Sequence, residues 1–295
     1  MKDLRMFVAS SKELERERDG MSQLSVMECN AKIAASPVPV RVCVLGSGSS
    51  GNCTWIECGD DAILVDAGLS ARRTLRTLRE CGLDERKVRA ICITHEHIDH
   101  VRGALRLHAL LGVPLHANTQ TARAVEKVPP ECWKCFVTGN PFAVGPFSLL
   151  PFPLPHDASD PVGYRIACGG VCIGIATDLG MPTTVVRDML HGCHLLVLEA
   201  NHDEELVRDA DRTPYLKQRI LGNQGHLSNR MAAGLVAEVA GDTLETVVLA
   251  HLSRDCNREE LALETVRDCL CRSGLGRIAV LAARADGPTP VCVCG

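Results

Sequence analysis

Short apolar runs separated by glycine and aspartate dominate the chain from residue 40 onward. The first three runs are rich in β-branched and other apolar residues, which predicts strands joined as an antiparallel meander. They are residues 40–45, 53–58 and 62–65. Apolar Leu75, Leu78 and Cys81 then recur at helical spacing among arginines, so the pattern predicts a helix over residues 69–81.

Apolar runs and amphipathic segments continue to alternate along the rest of the chain. Further strands are predicted at residues 113–116, 147–152, 164–168, 171–177, 195–199, 246–250 and 277–282. Further helices are predicted at residues 103–111, 119–128, 183–190, 203–209, 214–221, 228–240 and 258–271. Hairpin-paired strands with helices outside them indicate two mixed sheets packed face to face. The predicted fold is therefore of the α/β (α+β) class, a four-layer αββα sandwich.

Residues 1–39 differ from the rest of the chain. They are polar, show no hydrophobic repeat and end in Ser-Pro-Val-Pro, so we expect a disordered or weakly helical extension before one folded domain over residues 40–295. They also lack the basic start and apolar core of a signal peptide. Several cysteines lie inside apolar runs, where a thiol behaves as a small hydrophobe. Together these features favour a reducing, cytoplasmic location.

Composition narrows the possible functions. A hydrophobic content of 46% supports a substantial core, and a net charge of -4 argues against a passive coat on nucleic acid. No uncharged apolar stretch of about 18 residues occurs, so the chain is not expected to span a membrane. Length and composition therefore agree with a soluble enzyme.

The segment Thr-His-Glu-His-Ile-Asp-His at residues 94–100 carries the strongest chemical signal. Imidazole and carboxylate groups are ligands of divalent metals such as Zn²⁺, so this spacing predicts a metal site. In an extended loop, His95, His97 and Asp99 would face one way and His100 the other, and one loop could serve two neighbouring ions. The helical signature His-Glu-x-x-His does not apply, because His95 and His97 are two residues apart.

Three more candidate ligands follow apolar strands. They are His156, Asp178 and His251. Each taken alone has an ordinary interpretation as a capping or hydrogen-bonded polar residue. Because strand ends at one edge of a sheet converge, the three can meet the histidine loop, and together they predict a centre with room for two ions.

Two other motifs predict no chemistry of their own. Residues 46–51 match the dinucleotide fingerprint Gly-x-Gly-x-x-Gly, but a strand-like run follows where that fingerprint needs a helix. A tight turn that brings backbone N–H groups near a ligand fits better. The pair Cys132 and Cys135 has no second pair at zinc-finger spacing, which disfavours a redox or structural zinc role.

The order of these residues resembles the five motifs of the metallo-β-lactamase superfamily. Longer stretches resemble one branch of it, the YycJ/WalJ (VicX) proteins: residues 46–52, 66–70, 156–158, 177–180, 199–203, 216–220, 225–229 and 251–253. The resemblance implies a metallo-β-lactamase sandwich. It also implies a phosphodiester-cleaving hydrolase of the YycJ/WalJ kind, a 5′-to-3′ DNA exonuclease with a dinuclear centre of Zn or Mn ions.

The resemblance also implies roles for individual residues. The first metal would be held by His95, His97 and His156; the second by Asp99, His100 and His251; and Asp178 would bridge them. Asp66 would form a hydrogen bond to the histidine loop and so orient it.

Catalysis needs a base, an acid and contacts to the substrate. Asp99 can act as general base on the attacking water, and His226 is the candidate donor of a proton to the leaving oxygen, unless it only caps the helix that follows. The candidate substrate contacts are Asn201, His202, Ser228 and Asn229. Basic residues for the nucleic-acid backbone could come from either of two clusters: Arg72, Arg73 and Arg76, or Lys217, Arg219 and Arg230.

Other functions on the same fold stay open. A small-molecule hydrolase, either a glyoxalase II-like thioesterase or a cyclic phosphodiesterase, would use the same metal ligands. Residues 216–220 and 225–229 favour the nuclease instead. A non-catalytic regulator is disfavoured because no ligand is missing. The identity of the metal, DNA versus RNA, exonuclease versus endonuclease action and the oligomeric state are left open.

Overall fold

The computed structural model of the protein describes residues 38–295. The prediction of an N-terminal extension therefore lies outside the described residues, apart from residues 38 and 39, which belong to neither a helix nor a strand. Of the helices within the described range, none has the length and apolar character needed to cross a bilayer.

The first sheet has seven strands and contains the predicted meander. Its strands are β1 (Val40–Gly46), β2 (Cys53–Cys58), β3 (Asp61–Val65), β4 (Val88–Cys92), β5 (Leu115–Asn118), β6 (Trp133–Phe136) and β14 (Cys292–Cys294). They lie in the order β14-β1-β2-β3-β4-β5-β6. The strands from β14 to β3 pair antiparallel, and those from β3 to β6 pair parallel.

The second sheet repeats this plan. Its strands are β7 (Phe142–Val144), β8 (Phe147–Pro153), β9 (Val162–Cys168), β10 (Val171–Ala176), β11 (Leu195–Glu199), β12 (Thr246–Ala250) and β13 (Ala279–Ala282), in the order β13-β12-β11-β10-β9-β8-β7. The strands from β7 to β10 pair antiparallel and those from β10 to β13 parallel. Both sheets are mixed, as the sequence predicted.

Helices connect many of the strands, and several of these helices cover the outer faces of the two sheets. They are α1 (Ala71–Glu80), α2 (Ile98–Val101), α3 (Ala104–Leu111), α4 (Thr119–Ala124), α5 (Thr184–Leu190), α6 (Glu204–Asp209), α7 (Pro214–Leu221), α8 (Asn229–Val239) and α9 (Glu259–Arg272). Single turns of 3₁₀ helix occur at Glu85–Lys87 and Pro130–Cys132. Several helices begin where a hydroxyl accepts a backbone N–H of the first turn, as at Ser70, Thr183, Thr213 and Ser228.

Three apolar layers hold these elements together. Ile56 and Ile63 meet Ile166 and Ile173 between the two sheets. Another layer joins the first sheet to α1 and α3, and a third joins the second sheet to α5, α8 and α9. Each fully buried Ile or Leu stabilises the fold by about 1.5 to 3 kcal/mol relative to an exposed one. The predicted four-layer αββα sandwich is confirmed.

Local details differ from the sequence prediction at several places. The helix predicted over residues 119–128 ends at Ala124. The strands β6, β7 and β14 were not predicted; each is only three or four residues long, and each lies at the edge of a sheet. Short edge strands are solvated on one side, so they lack a clear apolar pattern.

Candidate metal centre

Three polar residues that come just after strands adopt an unusual backbone conformation. Asp66 follows β3 with φ 62°, Asp178 lies two residues after β10 with φ 62°, and His251 follows β12 with φ 55°. They are the only described non-glycine residues with positive φ. This left-handed conformation costs on the order of 1 to 3 kcal/mol and clusters at functional sites. It turns the chain sharply at the carboxyl edges of the two sheets.

The histidine loop begins after β4 and bends at His97. His97 is still extended, but residues 98–101 form the short helix α2. The expectation that His100 faces away from the other ligands is therefore wrong, because a helical turn does not alternate its side chains between two sides as an extended loop does. The rings of His95 and His100 lie 4.0 Å apart, measured between their centres.

One group of ligand atoms comes from His95, His97 and His156, which approach one another within 4.8 Å. Nδ1 of His95 lies 3.0 Å from Oγ1 of Thr94, and Nδ1 of His156 lies 3.0 Å from the carbonyl oxygen of Gly225. The Nε2 atoms of His95 and His156 are buried and form no hydrogen bond with the described residues.

A second group comes from Asp99, His100 and His251, again within 4.8 Å of one another. Nδ1 of His100 lies 2.8 Å from Oδ2 of Asp66, and Nδ1 of His251 lies 2.8 Å from Oε1 of Glu199. The Nε2 atoms of these two rings therefore point inward. Asp178 stands between the groups, because it also lies within 4.8 Å of His95 and His100.

This donor set fits divalent metal ions. Metal-binding histidines usually use one nitrogen for the metal and hold the other on a carboxylate, carbonyl or hydroxyl oxygen. His95, His100, His156 and His251 show that arrangement. A buried nitrogen without a hydrogen bond is unfavourable unless something binds it, which makes Nε2 of His95 and of His156 natural ligand atoms. Imidazole with carboxylate ligation suits Zn²⁺ and also Mn²⁺.

Asp66 joins the first sheet to the histidine loop. Its Oδ1 accepts hydrogen bonds from the backbone N–H of Thr94 at 2.9 Å and from the Thr94 hydroxyl at 3.0 Å, while its Oδ2 contacts His100. Asp66 is 3% exposed, so water does not compete for these contacts. Its contacts match the orienting role that the resemblance implies.

Glu199 is a site residue that the sequence analysis did not identify. It ends β11 and is completely buried. Its Oε2 accepts the backbone N–H groups of Leu179 and Leu227 at 3.1 and 2.9 Å, and its Oε1 faces two histidines. The strand-end argument that selected Asp178 and His251 applies equally to Glu199, because β10, β11 and β12 are parallel neighbours.

The charges of these groups stabilise one another. Burial alone would raise the pKa of Asp178, but His251 and His100 hold it well below its usual value. Burial likewise opposes ionisation of Glu199, yet His226 and His251 lower its pKa to about 2. For His100, Asp66 and Asp178 outweigh burial and raise the pKa to about 10. The carboxylates therefore stay ionised, which is the state that attracts a cation.

His226 lies at the open side of the cluster. Its side chain is 22% exposed, and its Nδ1 lies 2.9 Å from Oε1 of Glu199. Its ring centre is 5.2 Å from that of His156 and 5.3 Å from that of His251. Burial lowers its pKa, but Glu199 outweighs burial and the net shift is upward. The helix cap belongs to Ser228 instead, whose Oγ accepts the N–H of Met231.

The four candidate substrate contacts are all buried: Asn201, His202, Ser228 and Asn229. Nδ2 of Asn201 donates to the carbonyl oxygen of His251 at 2.7 Å. The Asn229 side chain pairs with that of Asn257 at 2.9 Å, and the Ser228 hydroxyl donates to Glu204 at 3.0 Å. These bonds hold the loops around the cluster. Contact with substrate stays a prediction for all four.

The glycine-rich turn of residues 46–51 lies beside the cluster and leads into β2, as predicted, rather than into a helix. Ser47 Oγ accepts the backbone N–H of His251 at 2.8 Å, and the N–H of Asn52 donates to the carbonyl oxygen of Asp99 at 2.8 Å. Gly48 and Gly51 have φ of +124° and +143°, which only glycine adopts easily. The turn is therefore fixed to two candidate ligands.

Comparison with known proteins agrees with this site. The profile of the Beta-lactamase superfamily domain matches residues 61–252. Exodeoxyribonuclease YycJ of Bacillus anthracis is 34% identical over 238 residues, covering 79% of this chain and 90% of that protein. Exodeoxyribonuclease WalJ of Streptococcus pneumoniae serotype 2 is 34% identical over 247 residues, covering 82% of this chain and 92% of that protein.

Solved structures support the fold. The metallo-beta-lactamase fold protein YhfI from Bacillus subtilis superposes with a TM-score of 0.65 at 17% identity, over 85% of this chain and 99% of that one. The short form of human tRNase Z has a TM-score of 0.58 at 18% identity, over 84% and 98%. Fold, ligand cluster and profile define a hydrolase of the metallo-β-lactamase superfamily. Within it, the chain belongs to the family of the YycJ and WalJ proteins.

Proposed function

We propose that the protein is a metal-dependent exodeoxyribonuclease that hydrolyses DNA from the 5′ end. The observation that carries this proposal is the convergence of seven histidine and aspartate ligand candidates beside His226 and Glu199. The exodeoxyribonucleases YycJ and WalJ, which match over about nine tenths of their lengths, support DNA as the substrate.

We assign two divalent ions, Zn²⁺ or Mn²⁺, to the two groups of ligand atoms. His95, His97 and His156 would hold the first ion. Asp99, His100 and His251 would hold the second, with Asp178 shared. When the two ions are bound, the phosphate is polarised and hydroxide becomes available at neutral pH.

Asp99 would orient the attacking water and take its proton. Asn52 Nδ2 donates to Oδ2 of Asp99 at 3.3 Å, and Nε2 of His251 lies 3.3 Å from the same oxygen. Among the described residues no hydrogen bond reaches Oδ1. That oxygen can therefore accept a proton from water while Oδ2 keeps the side chain in place.

His226 would protonate the oxygen that leaves. When its Nδ1–H donates to Glu199, the ring is fixed and its Nε2 is left for the substrate. In an exonuclease that starts at the 5′ end, the leaving group is the 3′ oxygen of the first nucleotide. A proton from Nε2 would make that oxygen a neutral hydroxyl, so the mononucleotide could depart.

Digestion of end-labelled nucleic acids tests this function. The wild-type protein, supplied with Zn²⁺ or Mn²⁺, would be given 5′-labelled and 3′-labelled DNA, single- and double-stranded, and RNA of the same sequence. We expect 5′-labelled DNA to release labelled mononucleotide from the first time points, while 3′-labelled DNA shortens gradually. Circular single-stranded DNA, which has no end, should stay intact.

The same protein preparation would also be offered a glutathione thioester and a cyclic nucleotide. Hydrolysis of either one without any cleavage of DNA would overturn the proposed function in favour of a small-molecule hydrolase. Cleavage of the circle would replace the exonuclease with an endonuclease. The Asp178→Asn variant serves as the inactive control, because Asp178 lies within reach of both ligand groups.

A further inference from the structure

We propose that Arg102 and Arg254 together bind a backbone phosphate next to the one being hydrolysed. This inference rests on the proposed function, because it assumes a nucleic-acid substrate. The two guanidinium groups meet at one residue of the glycine-rich turn. Nη1 of Arg102 donates to the carbonyl oxygen of Ser50 at 2.9 Å, and Nη2 of Arg254 donates to its hydroxyl at 3.3 Å.

The two arginines come from different parts of the chain. Arg102 lies two residues after His100, and Arg254 lies three residues after His251. Ser50 belongs to the turn whose ends are bonded to His251 and to Asp99. The turn thus connects the pair to the second ligand group, and we expect a strand whose reacting phosphate lies at that group to present its neighbouring phosphate to the pair.

Neither charge is neutralised within the protein. No carboxylate of the described residues lies within 4.0 Å of Arg102 or Arg254, and both side chains are exposed. Nearby Arg284, in contrast, pairs with Glu259 at 2.6 Å. Two guanidinium groups held at one residue repel each other, and an anion between them removes that repulsion. Phosphate fits best, because its oxygens match the forked donors of arginine.

A cleft beside Arg254 offers space for the nucleotide attached to that phosphate. It has a volume of about 410 Å³, and its polar lining includes Ser47, Ser253 and Arg258 as well as the carboxylates of Asp286 and of Glu259, the latter paired with Arg284. A volume of this size lies in the range of small-ligand sites. The apolar part of its lining, Leu252, Ala283 and Ala285, contains no aromatic side chain that could stack on a base, so the contact would recognise the backbone rather than a particular base.

Binding of a single-stranded oligonucleotide with phosphorothioate linkages tests the arginine pair. Fluorescence anisotropy would measure the dissociation constant over a salt series for the wild type and for the double variant Arg102→Gln with Arg254→Gln. We expect the double variant to bind about tenfold more weakly and its salt slope to fall by about 0.7, the contribution of one phosphate contact on a single strand. In cleavage assays, KM should rise in parallel while kcat changes less than about threefold.

Two further double variants make the result specific. Arg79→Gln with Arg86→Gln is the matched control, because both arginines are exposed, pair with Glu85 and Asp84, and precede β4 at the end opposite the histidine loop. Arg102→Lys with Arg254→Lys keeps both charges and should retain the salt slope. The proposal would be overturned if the Gln variant bound the oligonucleotide with the same affinity and salt slope as the Arg79 and Arg86 control. It would also be overturned if the Lys variant lost as much affinity and salt slope as the Gln variant.

The binding and cleavage results together distinguish a failure of the arginine-pair proposal from a failure of the proposed function. Anisotropy does not depend on cleavage, so a wild type that binds DNA through the pair without cutting it contradicts only the nuclease. A wild type that cuts DNA while the Gln variant binds normally contradicts only the phosphate contact. A wild type that neither binds nor cuts DNA contradicts both.

Discussion

Oε1 of Glu199 lies 2.9 Å from Nδ1 of His226 and 2.8 Å from Nδ1 of His251. One buried carboxylate oxygen therefore orients both the candidate proton donor and a candidate metal ligand. Because each ring directs Nδ1 toward Glu199, each keeps Nε2 for the reaction. Glu199 itself is held by two backbone N–H groups, so this geometry does not depend on solvent.

Replacing His226 by alanine should slow turnover without loss of metal. We expect kcat to fall by about 100- to 10,000-fold, because general acid catalysis is removed while no proposed ligand changes. Steady-state kinetics on DNA and metal analysis of the same preparation check this. His191→Ala is the control, since that side chain is exposed and belongs to the end of α5. Unchanged turnover would remove His226 from the mechanism.

Replacing Glu199 by glutamine should affect two properties together. We expect kcat to fall because His226 loses its charged partner, and metal affinity to fall by about 10- to 100-fold because His251 is less well oriented. Competition with a chelator measures the affinity, and kinetics at saturating metal measure kcat. A loss of kcat with unchanged metal affinity would contradict the shared role of Glu199.

Gly68 should tolerate no side chain. A Cβ there would lie 1.5 Å from the carbonyl oxygen of Asp99, and backbone atoms cannot easily move away. Gly68→Ala is therefore expected to displace the histidine loop, to lower metal affinity and to destabilise the fold by about 1 to 3 kcal/mol. Urea unfolding and metal titration provide the measurements.

Gly234→Ala is the matched control for that substitution. Gly234 lies in α8, and a Cβ added there would meet no atom within 4 Å. Because alanine has the higher helix propensity, we expect Gly234→Ala to stabilise the protein by roughly 0.5 to 1 kcal/mol and to leave metal affinity intact. Equal effects of the two substitutions would show that the close approach at Gly68 is unimportant.

His116 should make the fold sensitive to acid. Burial on β5, with help from Lys134, lowers its pKa to about 4, whereas an unfolded chain has a value of about 6.5. Below pH 6.5 the unfolded chain therefore binds a proton that the folded chain does not, and stability falls until about pH 4. At pH 5 this amounts to about 2 kcal/mol.

The variant His116→Phe tests this contribution. A phenyl ring can keep the stacking of His116 on Phe142, whose ring centre lies 5.3 Å away, but it cannot titrate. Urea unfolding of both proteins at pH 7.5 and pH 5 should show that the variant loses about 2 kcal/mol less than the wild type. Parallel losses in the two proteins would exclude His116 as the cause.

The two-sheet fold could be predicted because its central strands are strongly apolar. Residues 171–177 and 195–199 have neighbours on both faces, so burial alone marks them in the sequence. The edge strand β14 carries no such mark, since it is three residues long and is fixed by pairing with β1 at the other end of the chain. Pairing between such distant segments cannot be deduced from local pattern.

The candidate site also has parts that the sequence could predict and parts that it could not. His156, Asp178 and His251 were found because strand ends at one sheet edge converge, and the structure does bring them to the histidine loop. The inward direction of His100 was missed because it depends on the helical turn after His97. The contacts of Glu199 depend on backbone N–H groups of two distant loops, which only the folded chain brings together.

The content of divalent metal in the folded protein shows whether the two ligand groups bind ions. Wild-type protein and the Asp178→Asn variant would each be offered Zn²⁺ and Mn²⁺ in turn, desalted and analysed by inductively coupled plasma mass spectrometry, with circular dichroism as a check on folding. We expect about two ions per wild-type chain and a clear loss of metal in the variant. A folded wild-type chain that retains neither ion would contradict it.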